Sequence, residues 1–280
     1  MDRFRRLALA TAAATVVLFT AGGLVRGTGS GLGCSTWPAC EPGTLFPSGT
    51  IHSIIEFSHR ALAFLVLVLT GASAVVAWLD HRRERALLAL ALAAFPLVLV
   101  QAALGGIVVV TELDPWWVTA HFVAALALIA DVTAVAVLAL LPAPARGGRR
   151  AFRPLAVWTT AVTGALLLVG TYIRAKGPGY GVVFPDWPLM NGRLVPTLGG
   201  VTTPMFLHRV LALGAFLLVI WTAIRARAMR PRSPIVVTLS TWAVVLFLAQ
   251  ILVGAANVWT KLQPWAVVLH VAFAVLVWTT

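Results

Sequence analysis

Eight long apolar stretches, joined by short polar segments, leave this chain few folds to choose from. They run over 7–26, 52–79, 87–110, 117–141, 155–174, 204–224, 235–259 and 265–280. About 20 apolar residues in a helix cross a ~30 Å hydrocarbon core, and every stretch but the last reaches that length. The last has 16 residues, a rise of about 24 Å at ~1.5 Å per residue, so it spans only just and predicts a tail beyond Thr280. The first follows a basic start, as a signal peptide would, but no A-x-A cleavage site directly precedes the Arg26 region, so it reads as a retained helix. Composition agrees: 60% of the residues are hydrophobic and 11% charged, against about a quarter charged in soluble domains. The expected fold class is an all-α membrane protein with eight transmembrane helices.

A net charge of +12 could suggest nucleic acid, but its placement excludes that partner. Arginines cluster at 3, 5 and 6, at 82, 83 and 85, at 146, 149, 150 and 153, and at 225, 227, 230 and 232, each time between apolar stretches. This is the positive-inside pattern of cytoplasmic joints. It predicts both termini in the cytoplasm, membrane lipid as the surrounding partner, and loops 27–50 and 175–203 outside. The only cysteines, Cys34 and Cys40, lie in the first outer loop. An exported pair is well placed for a disulfide, and its spacing matches no zinc pattern. A structural staple and a redox role both remain open.

The chain repeats itself. Arg26, Trp37-Pro38 and His59-Arg60 recur as Arg174, Trp187-Pro188 and His208-Arg209. Gln101, Gly105, Leu113, Pro115-Trp116 and His121 recur as Gln250, Gly254, Leu262, Pro264-Trp265 and His270, at a constant offset of 149. Two tandem pseudo-symmetric four-helix bundles are expected, over 1–141 and 154–280, with a cytoplasmic Pro-, Gly- and Arg-rich linker at 142–153. An even number of spans in each half gives both copies one orientation, as in parallel repeats.

Each half carries two histidines well inside its apolar stretches, clear of their ends: His59 and His121, then His208 and His270. All four are expected about 6–12 Å below the outer surface, at matched depth. One such histidine is ordinarily interhelical glue. Four, paired and repeated, suit axial ligation of two heme irons. His52 and His81 read as interfacial or solvated. Arg60 and Arg209 follow two of the ligands, and Arg26 and Arg174 end helices 1 and 5. A guanidinium matches a heme propionate, Arg26 and Arg174 above all, with snorkelling to lipid phosphate as the alternative. Gln101 and Gln250 read as helix-packing hydrogen bonds.

One position breaks the symmetry. The first half has Glu56 three residues before His59, where the second has Met205. A carboxylate inside a membrane helix is costly and marks function by default, the alternative being a pair with an arginine. An enzyme needs one reactive site and one supporting site, which a passive conduit does not. Asp131 lies some 15 Å further along helix 4 than His121. It is expected to pair with a neighbouring helix, or to carry protons.

Gly-Thr-Gly-Ser-Gly at 27–31, the Cys34/Cys40 pair, the run Glu56-Phe-Ser-His-Arg60 and the three later histidines resemble the bacterial heme A synthase family over essentially the whole chain. The resemblance implies an oxidoreductase of the cell (inner) membrane that turns a ring methyl of heme O into a formyl group, giving heme A for cytochrome oxidase. It implies heme O as substrate on His59 and His121, heme b as cofactor on His208 and His270, and catalytic roles for Glu56, Cys34 and Cys40. Heme O synthase, cytochrome oxidase assembly factors and a homo-oligomer are the partners it suggests. Some members carry a second cysteine pair that 182–190 lacks, so a mechanism needing two pairs does not transfer. Two rivals stand beside it: a di-heme electron-transfer cytochrome, and a proton-coupled transporter using Glu56 and Asp131.

Overall fold

The computed structural model describes residues 2–47, 49–140, 152–176, 183–228 and 234–280. Most of the expected linker, with Arg146, Arg149 and Arg150, falls outside the described residues, as do Arg230 and Arg232. The chain divides into two compact units, Met1–Ala143 and Pro144–Thr280.

The first unit holds α1 (Arg3–Gly27), α2 (Ile51–Asp80), α3 (Arg85–Val110) and α4 (Pro115–Leu140). The second holds α5 (Arg153–Ala175), α6 (Thr202–Arg227), α7 (Pro234–Trp259) and α8 (Pro264–Trp278). Seven of these helices are long and apolar enough to cross a membrane, and α8 is a shorter apolar helix. Among the described residues, extended pairing is limited to isolated bridges at Glu41–Thr44 and Met190–Arg193. The protein is an all-α, multi-pass membrane protein.

Local chemistry sets the helix ends. Asp2 caps α1 by accepting from Arg5 N at 2.8 Å, and Thr50 caps α2 by accepting from Ser53 N. Between α3 and α4 the chain turns through two left-handed residues, Glu112 (φ 53°) and Leu113 (φ 66°). Lys261 (φ 54°) and Leu262 (φ 63°) repeat that turn between α7 and α8. In both, the second residue returns its N–H to the preceding helix at 2.9 Å, Leu113 to Val108 O and Leu262 to Asn257 O. Proline then starts the next helix in each case, where its missing N–H costs nothing.

Within each unit every helix packs on its chain neighbour, and the fourth closes on the first. Small residues allow close approach: Ala8, Ala77, Ala91 and Ala136 share one buried cluster with Phe4 and Leu87. Hydroxyl pairs tie the first two helices of each unit, Thr11 to Ser73 at 3.1 Å and Thr159 to Thr222 at 2.6 Å. The opposite helix surfaces expose Phe64, Trp78, Leu213, Trp221 and Trp242, as a lipid-facing side requires.

Candidate functional site

The four histidines sit as their sequence positions require, on α2 and α4 in the first unit and on α6 and α8 in the second. His59 lies near His121 in the first unit, and His270 near His208 in the second. Each ring lies against a glycine of an adjacent helix. A Cβ at Gly22, Gly105 or Gly254 would lie 3.3 Å from Cε1 of His59, His121 or His270, and at Gly170 only 3.1 Å from Cε1 of His208. These glycines recur with the repeat, the one signal by which sequence could have found Gly22 and Gly170.

The arrangement fits heme. All four Nδ1 atoms are buried against the neighbouring helices, with no hydrogen-bond partner among the described residues. In three of the rings Nδ1 is the nitrogen nearer the glycine, which leaves Nε2 for iron. Two imidazoles per unit match the two axial positions of a porphyrin-bound iron. Among the described residues no group of three or more His, Cys, Asp or Glu is placed to hold a bare metal ion.

The outer loop of the first unit is tied to the histidine-bearing helix through Glu56. Its carboxylate is buried, accepting from Arg60 Nη2 at 2.5 Å through Oε1 and from the backbone N–H of Cys34 at 2.9 Å through Oε2. Cys34 and Cys40 form a disulfide, with both residues buried. Arg60 donates to the carbonyls of Thr36 and Ala39, each at 2.8 Å. Glu56 and Arg60 thus hold the disulfide loop at both ends. Gly33 allows the close approach, since a Cβ there would meet His52 O at 2.3 Å. The loop then lays the Trp37 indole on α3, 2.9 Å from any Cβ at Gly106.

The second unit keeps the frame and changes the chemistry. Arg209 donates to Leu189 O at 2.8 Å and Asp186 O at 3.3 Å, as Arg60 does to its own loop. Phe184 and Met190 are buried where the first unit has its disulfide. No acid replaces Glu56; Asp186 instead accepts from the backbone N–H groups of Asn191 and Gly192 at 2.7 Å. Those bonds, Gly192 first, hold its carboxyl below the usual carboxylate range.

Two expectations change. Asp131 is buried in α4, but its Oδ2 has no hydrogen-bond partner among the described residues, so the expected pairing with a neighbouring helix is absent. Gln101 makes the expected interhelical hydrogen bond, its amide Nε2 lying 3.2 Å from Nε2 of His121, whereas Gln250, expected to make one as well, has a buried Oε1 with no partner among the described residues. The pairing with an arginine that sequence left open for Glu56 is present, and the guanidiniums of Arg60 and Arg209 are directed at loop carbonyls. Arg26 and Arg174 occupy the last turns of α1 and α5. His52 bonds Ser30 and His81 bonds Glu84, away from the histidine pairs.

Residues 44–280 match the family model described as cytochrome oxidase assembly protein. The chain belongs to this family. It is similar to proteins named Heme A synthase from Symbiobacterium thermophilum, with 31% identity over 91% of this chain and 85% of that protein. The relative from Alkalihalophilus pseudofirmus is 28% identical over 92% of this chain and 88% of its own length. That from Halalkalibacterium halodurans is 28% identical over 96% and 92%.

Proposed function

We propose that this chain is a heme A synthase of a bacterial cell membrane, oxidising a ring methyl of heme O to a formyl group in the service of cytochrome oxidase. The observation that carries this reading is an asymmetry within a repeat. Both units present a histidine pair against glycines, but only the first adds a buried carboxylate and a disulfide. The relatives named Heme A synthase cover nearly the whole chain and supply the reaction.

In this reading the first unit is the catalytic half, with His59 and His121 holding the substrate heme O. The second is the supporting half, where His208 and His270 would hold heme b. A bound heme b supplies one-electron transfer. Glu56 has each oxygen engaged by a donor, so it acts as a fixed negative charge beside His59 rather than as a free base. Such a charge would stabilise positive character at the substrate carbon during its oxidation, which requires an external electron acceptor and an oxygen donor. Cys34 and Cys40 close the outer loop over the site, and their covalent link keeps Cys34 N aimed at Glu56. In this reading Arg26 and Arg174, in the last turns of α1 and α5, would pair with propionates, whereas Arg60 and Arg209 act through the loops. The positive-inside pattern puts both termini in the cytoplasm. Heme O synthase is the partner that this substrate requires, and cytochrome oxidase assembly factors receive the product.

The test is conversion in a bacterium that makes heme O but lacks its own synthase. Restored heme A with this chain, and its loss with Glu56→Gln, is the expected result. Full conversion by Glu56→Gln would refute the carboxylate role. No conversion by the unaltered chain, present in the membrane and loaded with heme, would favour an electron-transfer cytochrome.

A further inference from the structure

The two histidine sites differ in a second way, at the glutamines that face them. Gln101 and Gln250 are equivalent by the repeat, each four residues before a ligand-facing glycine. Both have a buried Oε1 with no hydrogen-bond partner among the described residues. Only Gln101 reaches its histidine, through the amide at 3.2 Å from His121 Nε2. That bond occupies the nitrogen left for iron, because Nδ1 is turned toward Gly105 and buried. Whichever way the amide is turned, Nε2 is engaged, either accepting from the amide N–H or donating to its oxygen.

We propose that Gln101 is a positioning residue that competes with heme iron for His121 Nε2 and so makes the first unit the site from which heme exchanges. The inference rests on the heme reading above and adds to it a reason for the different fates of the two hemes. A substrate must enter and a product leave with each turnover, while a cofactor stays. Releasing a histidine from iron in a membrane interior leaves its lone pair without a partner, a cost that opposes release. Gln101 supplies a partner at the moment of release, so the open state of this site is stabilised and that of its counterpart is not. His121, not His59, is then the ligand that lets go. A neutral hydrogen bond of this kind shifts such an exchange about two- to tenfold.

The test uses the full chain in lipid nanodiscs, stripped of heme, reloaded with heme B as the probe, and then exposed to excess apomyoglobin as a scavenger. Release should be biphasic. Gln101→Met keeps the bulk of the side chain and removes the amide, and should slow the faster phase about two- to tenfold. Gln250→Met should change neither phase. A merely structural role for Gln101 gives the opposite sign, since a disturbed site loses heme faster. Faster or unchanged release from Gln101→Met would overturn the proposal, as would equal slowing by Gln250→Met. Gln101→Leu serves as a second amide-free variant, with helical circular dichroism to confirm folding. Failure of the unaltered protein to take up heme would refute the heme reading itself and the proposal with it.

Discussion

Glu56→Gln should loosen the outer loop at one identifiable amide. Glu56 accepts from two donors through two different oxygens, Arg60 Nη2 at 2.5 Å and Cys34 N at 2.9 Å. A glutamine has one oxygen and one NH2 group, so in either orientation one of these donors faces another donor. Removing one partner of a buried ion pair costs about 3–5 kcal/mol when the other charge is stranded. Arg60 is not stranded, because it keeps the carbonyls of Thr36 and Ala39 at 2.8 Å. The lower range for a lost charge-assisted bond applies, about 1–3 kcal/mol. If the cost appears as local opening, exchange at the Cys34 amide rises roughly five- to 150-fold. Hydrogen–deuterium exchange of the protein in detergent, followed on the peptide containing residues 33–40 with the disulfide intact, reads this directly. Amides within α2 below His59 should not change. Exchange at Cys34 within twofold of the unaltered protein would refute the anchoring role of Glu56.

Four other outcomes follow from the same geometry. Gly170→Ala places a Cβ 3.1 Å from His208 Cε1, so the ring must turn; heme retained by the second unit should fall and its low-spin electron paramagnetic resonance signal should shift, with the first unit unaffected. Asp131→Leu removes a buried acid whose Oδ2 has no hydrogen-bond partner among the described residues, and the thermal midpoint should hold or rise; a marked fall would reveal a partner. Cys34→Ala should leave turnover partly intact if the disulfide is a staple, and abolish it if the pair takes part in electron transfer. Asp186 is held ionised by Gly192 and Asn191, and the sign is that of a depressed carboxyl: its bonds persist above the ordinary value of 3.8 and are lost as pH falls through the lower folded value. The Gly192 amide resonance should therefore titrate with a midpoint below 3.8, and one at or above 3.8 would contradict the two bonds.

Helix number, order and approximate ends were legible because membrane helices announce themselves by length and apolarity. The Pro115 and Pro264 helix starts and the paired histidines were legible because the repeat prints them twice. Less visible was the work of Arg60: a guanidinium next to a ligand suggests a propionate, and only the folded loop reveals that Thr36 and Ala39 carbonyls reach it first. Gly33 and Gly106 were silent for a similar reason, since a glycine's use depends on what lies against it, His52 and Trp37 in these cases. Gln101 and Gln250 look alike in sequence, and a difference in side-chain reach alone separates them. Asp131 misled in the other direction, because a buried acid implies a partner that the described residues do not provide for its Oδ2.

The identity of the hemes in the purified protein tests the heme A synthase reading most directly. The chain would be produced with a heme O supply, its hemes extracted, and each identified by chromatography and mass spectrometry. Heme B together with heme A or its hydroxylated precursor is the expected result. Heme B alone despite available heme O would contradict the enzymatic reading, and no heme at all would contradict the histidine sites.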